Sequence, residues 1–586
     1  MKAKPFCLTM LGMGLAVVLM SACSLKSPAP GGQQVVSGGA PASAGNGVAG
    51  GVAWTDQGGQ WGDDARNHFY AQDQGSELIP LAWVRALKQS NNHPFLEDSL
   101  SRYGYLPNPD RKYNPEGLPV GFTAATRKGV KNLGLTCAAC HTRQIEANGV
   151  AYRIDGGPAM VDVQSFLKDI DVGVGKLVQD ESAFSAFSGE VLGPSASTAQ
   201  KSALLKNVKD WYSRYHTITS LSLPTSPWGP SRLDAVSMIF NRVSGLDIGT
   251  TPDHMIRDNI KPADAPVRYP FIWNAAIQDQ TQWTGFADNG NDILALARNL
   301  GEVYGVFANF HPEKKTVPVL GKVIDFNRDN SANFEGLQAL EGMVRKMGPP
   351  KWPWAVDQAL ADKGKPIYDK ECGTGCHEIK TGKQRHIDLT QKTWLTPIQD
   401  VGTDNRVYSV LARNVDTGVM SGAFLLSDQK KPDSLKPVDN AAKLLKAVVG
   451  GGIIEHYTPI KITGTDFSWL KGASMEKPAS VKNYPNESRV LQGIWATAPY
   501  LHNGSVASLA ELLKPAALRA KSFEVGPAYD PVNIGLAADQ PRFGHFVYQT
   551  TDCNVRDSGN SRCGHEFGVD LSDADKKALL EYMKTL

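Results

Sequence analysis

Cys137-Ala138-Ala139-Cys140-His141 sets two thiols apart by two residues and puts an imidazole directly after the second. A covalently attached haem needs that spacing. The two thiols add across its two vinyl groups, and the next residue places its ring on the iron. A redox dithiol needs no histidine after it, and a zinc site needs a second pair of ligands close by. The pentapeptide reads as an attachment point for a c-type haem.

Cys372-Gly373-Thr374-Gly375-Cys376-His377 repeats the pattern with one more residue between the thiols. Its two glycines tolerate strained backbone conformations, which makes the longer loop easier to accommodate. A Cys372–Cys376 disulfide is the competing reading. The preceding residues 361–371 resemble the first helix of a class I cytochrome c, which runs directly into its haem motif. That context favours a second attachment point, so two covalently bound c-type haems are expected.

Of the 8 cysteines, Cys7 and Cys23 belong to the N-terminus. Lys2 and Lys4 precede an apolar run at 8–20 that is too short to span a bilayer in the ordinary way. It ends in Met20-Ser21-Ala22-Cys23, which resembles a lipoprotein signal sequence over residues 1–22 with Cys23 as the lipid-modified residue. Ordinary secretion with cleavage nearby is the alternative, and both export the protein. The expected location is the periplasm or outer membrane, with membrane contact through lipid at Cys23. Residues 23–52, rich in Gly, Ala, Ser and Pro, read as a flexible tether. Cys553 and Cys563 flank a Gly/Ser/Asn/Asp-rich loop, where a disulfide is expected in an oxidising compartment and a catalytic thiol is the alternative.

The remaining sequence is globular, with 41% hydrophobic and 20% charged residues among 586. Lys and Arg number 61 against 59 Asp and Glu, a balance that disfavours nucleic acid as a partner. The 57 Gly and 36 Pro point to long, loop-rich connections. Gly348-Pro-Pro-Lys-Trp-Pro-Trp354 cannot continue a helix and divides residues 53–347 from 348–586, one haem domain each. Ile293, Leu296, Leu300, Val303 and Phe307 recur at helical spacing before His311-Pro312 stops the run. Ser572 to Asp575 resembles a helix cap, with Leu579, Leu580 and Met583 as the apolar face that follows. The fold class expected is mainly α: two extended class I cytochrome c-like haem domains with long loops and few short strands.

Three stretches together resemble the di-haem cytochrome c peroxidase superfamily: Leu133 to Thr142, the second haem motif, and Trp495-Ala-Thr-Ala-Pro-Tyr-Leu-His-Asn-Gly-Ser505. Leu118-Pro-Val-Gly-Phe-Thr123, Ile154-Asp-Gly-Gly-Pro158 and His502 to Ser505 bring it nearest to the rubber-oxygenase-like branch, with its related di-haem fatty-acid dioxygenases. The C-x-x-x-C-H motif departs from the family pattern. The resemblance implies an open, oxygen-carrying N-terminal haem with His141 as proximal ligand. It implies an electron-transfer haem in 348–586 with His377 as first ligand and a second histidine opposite. The candidates for that second histidine are His386, His456, His502, His545 and His565. His565 is favoured, just before the terminal helix and beside the suspected disulfide, and His502 comes next. Phe271, Trp273, Trp283 and Phe286, in an unusually aromatic stretch, are candidates for the distal pocket, with a plain core role for each as the alternative.

The function expected is a haem-dependent dioxygenase adding O2 to a C=C bond of an unsaturated fatty acid or a polyisoprenoid. The alternatives are a peroxidase reducing H2O2 with electrons from a small donor cytochrome, and an electron-transfer lipoprotein without turnover.

Overall fold

In a computed structural model, which describes residues 51–317, 321–382, 393–425, 433–457, 483–541 and 546–586, the chain reaches its first motif by strand and leaves it by strand. Phe122–Arg127 and Val130–Leu135 pair as an antiparallel hairpin, with Ile79–Pro80 on the other edge of Val130–Leu135. Cys137–Ala139 is a single tight helical turn. Thr142–Ala147 and Val150–Asp155 form the second hairpin, and Val52–Trp54 joins it in parallel. Both hairpins turn on two residues with positive φ: Lys128 and Gly129 at 50° and 80°, Asn148 and Gly149 at 53° and 77°. That turn matches the natural twist of paired strands.

This arrangement corrects the expected fold class. Helix makes up 38% and strand 17%, with eleven small sheets of two or three strands among the described residues. The chain is therefore not mainly α. The physical reason lies in the long connections. They cross the interior, where each buried N–H and C=O must find a partner, and short strand pairs supply one. The signal sequence, Cys23 and the tether up to residue 50 lie outside the described residues, as do His386 and His545. Within the described residues no helix is long and apolar enough to cross a membrane.

Helices Val163–Gln179, Glu181–Leu192 and Thr198–Ser222 bury Phe166, Ile170, Phe187 and Val208 in one core with Phe122 and Leu133 of the first hairpin. Asp292–Gly305 is helical, as the spacing predicts, and Leu296, Leu300 and Val303 are buried. Ile293 faces solvent, and Phe307 lies beyond the helix end with φ 73°. A third core joins Ile145, Phe271 and Trp273 to Trp495, Tyr529 and Leu579. Residues before and after Gly348 thus share one interior.

Gln358–Tyr368 is a helix that continues into a wider, π-type stretch, Asp369–His377. Thr374 and Gly375 leave helical geometry there, Gly375 with φ 85°. The closing helix Asp573–Met583 starts at Ser572, whose Oγ accepts from Asp575 N at 3.2 Å. It crosses Gln358–Tyr368 at Gly364, where a Cβ would fall 1.9 Å from Ala578 O. Only glycine allows the two backbones to come that close.

Candidate haem sites

The first motif is pressed between its neighbours. Thr136 N donates to Gly121 O at 2.8 Å, and Gly121 N donates to Tyr70 O at 2.9 Å. A Cβ on Gly121 would lie 2.0 Å from Ala139 N. His141 Nδ1 donates to Pro270 O at 2.9 Å, so Nε2 keeps its lone pair for a metal. Burial pushes the ring down to about 4, which holds it neutral as ligation requires. Burial pushes the Cys137 and Cys140 thiols up to about 12. These are not the activated thiolates of a redox dithiol.

A cavity of about 580 Å³ opens at Cys137 and His141. One side of its wall is polar. Gln282 Nε2 donates to Glu302 Oε1 at 2.7 Å. Arg298 bonds Asn289 Oδ1 at 2.8 Å and pairs with buried Glu341. Burial pushes the Glu302 carboxyl above its ordinary value, with Arg298 opposing. Among the described residues lining this cavity there is no second histidine, and no methionine or lysine.

Cys372, Cys376, His377 and His565 meet at a larger cavity of about 1180 Å³. His377 Nδ1 donates to Arg489 O at 2.6 Å, again leaving Nε2 for a metal. The ring centres of His377 and His565 are 6.2 Å apart. With a metal–imidazole bond of about 2.0 Å and about 1.1 Å from nitrogen to ring centre, two rings sharing one ion stand about 6.2 Å apart. The pair would fit a single metal ion between them. Leu491, Ile494, Leu512 and Met583 give the cavity apolar walls, and Arg268 and Arg489 line it as buried cations.

His565 is held firmly. Its N–H donates to Val401 O at 2.8 Å, and a Cβ on Gly564 would lie 2.3 Å from Gly402 C. The Cys553–Cys563 disulfide closes the preceding loop. Arg519 donates to Arg562 O at 2.8 Å, Gly564 O at 2.7 Å and His565 O at 3.1 Å. Burial, together with nearby His377, pushes the His565 ring down to about 4. His502 lines the same cavity, buried and pushed down to about 3. His456 stacks on Phe334 at 3.9 Å instead. His68, His93, His216 and His311 bond Gln72, Glu97, Asp171 and Asp329, and His254 stacks on His311.

The aromatic candidates go elsewhere than the cavity at His141. Phe271 and Trp283 line the larger cavity. Trp273 stacks behind Phe271 at 4.8 Å and donates from Nε1 to Gln492 O at 2.8 Å. Phe286 packs on the core around Leu296 and Tyr304. The segment changes direction at Asn274, Gln282 and Trp283, all with positive φ, so neighbours in sequence do not share a face. The residues missed at this stage are Gln282, Arg298, Glu302 and Glu341. Arg298 and Glu302 sit four apart on one helix, a spacing that puts both on one face.

A family model described as RoxA-like, cytochrome c-like matches residues 486–524. The span includes Trp495 to Ser505 and neither attachment motif. Half of the residues lining the larger cavity come from it, from Asn486 to Leu513. Two proteins of Sinorhizobium fredii (strain NBRC 101917 / NGR234) are also similar. Uncharacterized protein y4iJ is 29% identical over 588 residues, covering 91% of this chain and 93% of that protein. Uncharacterized protein y4iM is 27% identical over 337 residues, covering 54% of this chain and 63% of that protein. With the attachment motif and the geometry around it, the match links the chain to the RoxA-like cytochromes c, as a haem-containing oxidoreductase with a c-type haem.

Proposed function

We propose that the chain carries two c-type haems and reduces a peroxide at the His141 site, with electrons supplied by a small donor cytochrome through the His377–His565 site. The observation that carries this reading is the Glu302–Gln282 pair in the wall of the His141 cavity. Cys137 and Cys140 would hold the first haem, and Cys372 and Cys376 the second. Each haem would supply an iron for redox chemistry.

The chain's own residues then govern protons and charge. Glu302, whose carboxyl burial shifts toward the protonated form, passes a proton to the departing oxygen of the peroxide. Gln282 orients that carboxyl, and Arg298 offsets the negative charge that develops as the O–O bond breaks. Two electrons and two protons convert one hydrogen peroxide to two waters.

A second reading, the dioxygenase acting on a C=C bond, is favoured by the RoxA-like match. The Glu302–Gln282 pair on one side of the cavity at His141 ranks it second, because an alkene needs a dry, apolar face. Haem-loaded protein with hydrogen peroxide and reduced small cytochrome c separates the two. Two cytochromes oxidised per peroxide, with Glu302→Gln slower by about 10²–10⁴-fold, support the first. Oxygen uptake with oleate or polyisoprene, unchanged in that variant, would replace it. A reduced Soret band that ignores carbon monoxide would overturn both enzyme readings. We also propose export and lipid anchorage at Cys23, which rest on the N-terminal sequence pattern. Absence of labelled fatty acid from the mature protein would remove the anchorage.

A further inference from the structure

Arg489 lines both cavities and is buried between them. Its backbone carbonyl accepts from His377 Nδ1 at 2.6 Å. Its Nη1 donates to Phe271 O at 2.7 Å, one residue after the Pro270 carbonyl that accepts from His141 Nδ1 at 2.9 Å. The second arm of the fork, Nη2, donates to Gln278 Oε1 at 2.8 Å. The guanidinium lies 4.3 Å from the centre of the Phe271 ring, and Nε lies 3.1 Å from Glu487 Oε1, whose side chain is fully buried. A continuous run of bonds and hydrogen bonds therefore joins the two motif histidines: His141, the Pro270–Phe271 peptide, the Arg489 side chain and backbone, His377.

We propose that Arg489 is a positioning residue shared by both haem sites, one that fixes the two proximal histidines against each other and sets the redox potentials of both irons together. The argument rests on the two-haem reading above. A motif histidine whose Nδ1–H is held by a carbonyl is fixed in ring orientation and is a more electron-rich ligand. Here the two carbonyls belong to one connected unit, so a change in Arg489 reaches both rings. Its charge acts in the opposite direction, and it is the charge that Arg489→Gln removes, since both accepting carbonyls are backbone. A cation buried beside both cavities favours the reduced, less positive iron at each, and low-dielectric surroundings leave that effect poorly screened. Glu487 opposes it from 3.1 Å.

The test is a spectroelectrochemical titration of the haem-loaded full chain, with the two irons told apart by their electron paramagnetic resonance signatures. Arg489→Gln is expected to lower both midpoint potentials. Glu487→Gln, which removes the opposing charge and leaves Arg489 in place, is expected to raise both. The second variant keeps the proposal falsifiable if the first does not fold. Two haems per chain with only one potential moved, or neither, overturns the proposal and leaves the two-haem reading intact. A single haem per chain, counted by mass spectrometry of the parent protein, overturns both.

Discussion

Replacing Arg519 by methionine should release the loop that carries His565. The guanidinium is buried, at 2% exposure, and all its bonds go to backbone carbonyls. They are Leu512 at 3.2 Å, Lys514 at 3.1 Å, Arg562 at 2.8 Å, Gly564 at 2.7 Å and His565 at 3.1 Å. Hydrogen bonds to a charged group contribute about 1.5–3 kcal/mol each, so five give at least about 7 kcal/mol. Burying the cation offsets part of that. Its pKa is pushed down to about 10 by burial, which corresponds to a cost of about 3 kcal/mol. The expected loss in Arg519→Met is therefore about 4 kcal/mol, a large effect for one substitution. The haem-loaded variant should unfold at a lower urea concentration. On the proposed reading, in which His565 and His377 hold one iron, it should also gain a high-spin signal in electron paramagnetic resonance. A variant within about 1 kcal/mol of the parent, with its low-spin signal intact, would refute the reasoning.

His565→Ala should convert the second iron to high spin and let carbon monoxide bind there as well as at the first, doubling the amplitude of the Soret change. Peroxide turnover should fall as pH rises. Glu302 has its pKa raised above the ordinary 4.5, so the proton it donates is present below the shifted value and lost above it. Glu302→Gln should flatten that limb in a pH–rate profile. Gly121→Ala puts a Cβ 2.0 Å from Ala139 N at a position with φ 82°. The first motif must shift, and mass spectrometry of its peptide should show fewer chains with haem at Cys137 and Cys140.

The sites were more legible than the fold. Covalent attachment depends on residues adjacent in sequence, so both candidate motifs are visible without the fold. The same holds for the Ser572 cap and the apolar stripe of Asp292–Gly305. The β-structure around Cys137 is only partly legible: Asn148-Gly149 is a strong hairpin signal. The flanking strands hid it, because Thr142–Ala147 is buried on both faces and shows no alternation of polar and apolar residues. The polar wall at His141 comes from Gln282, Arg298, Glu302 and Glu341, on three separate segments. No local pattern joins them. The stripe of Asp292–Gly305 was read for its apolar side, and the chemistry lies on the other.

The two sites also differ in how much of the chain must exist before each can close. Apart from Arg489, the residues lining the cavity at His141 fall between Cys137 and Val344. The larger cavity draws on residues from Arg268 to Met583. Contacts between distant segments carry a greater loop-closure cost and form later. The first pocket can thus take shape from the earlier part of the chain and waits only for Arg489, while the second must wait for almost the last residue. Exported chains truncated at increasing lengths, scored for haem at each motif, would show that order.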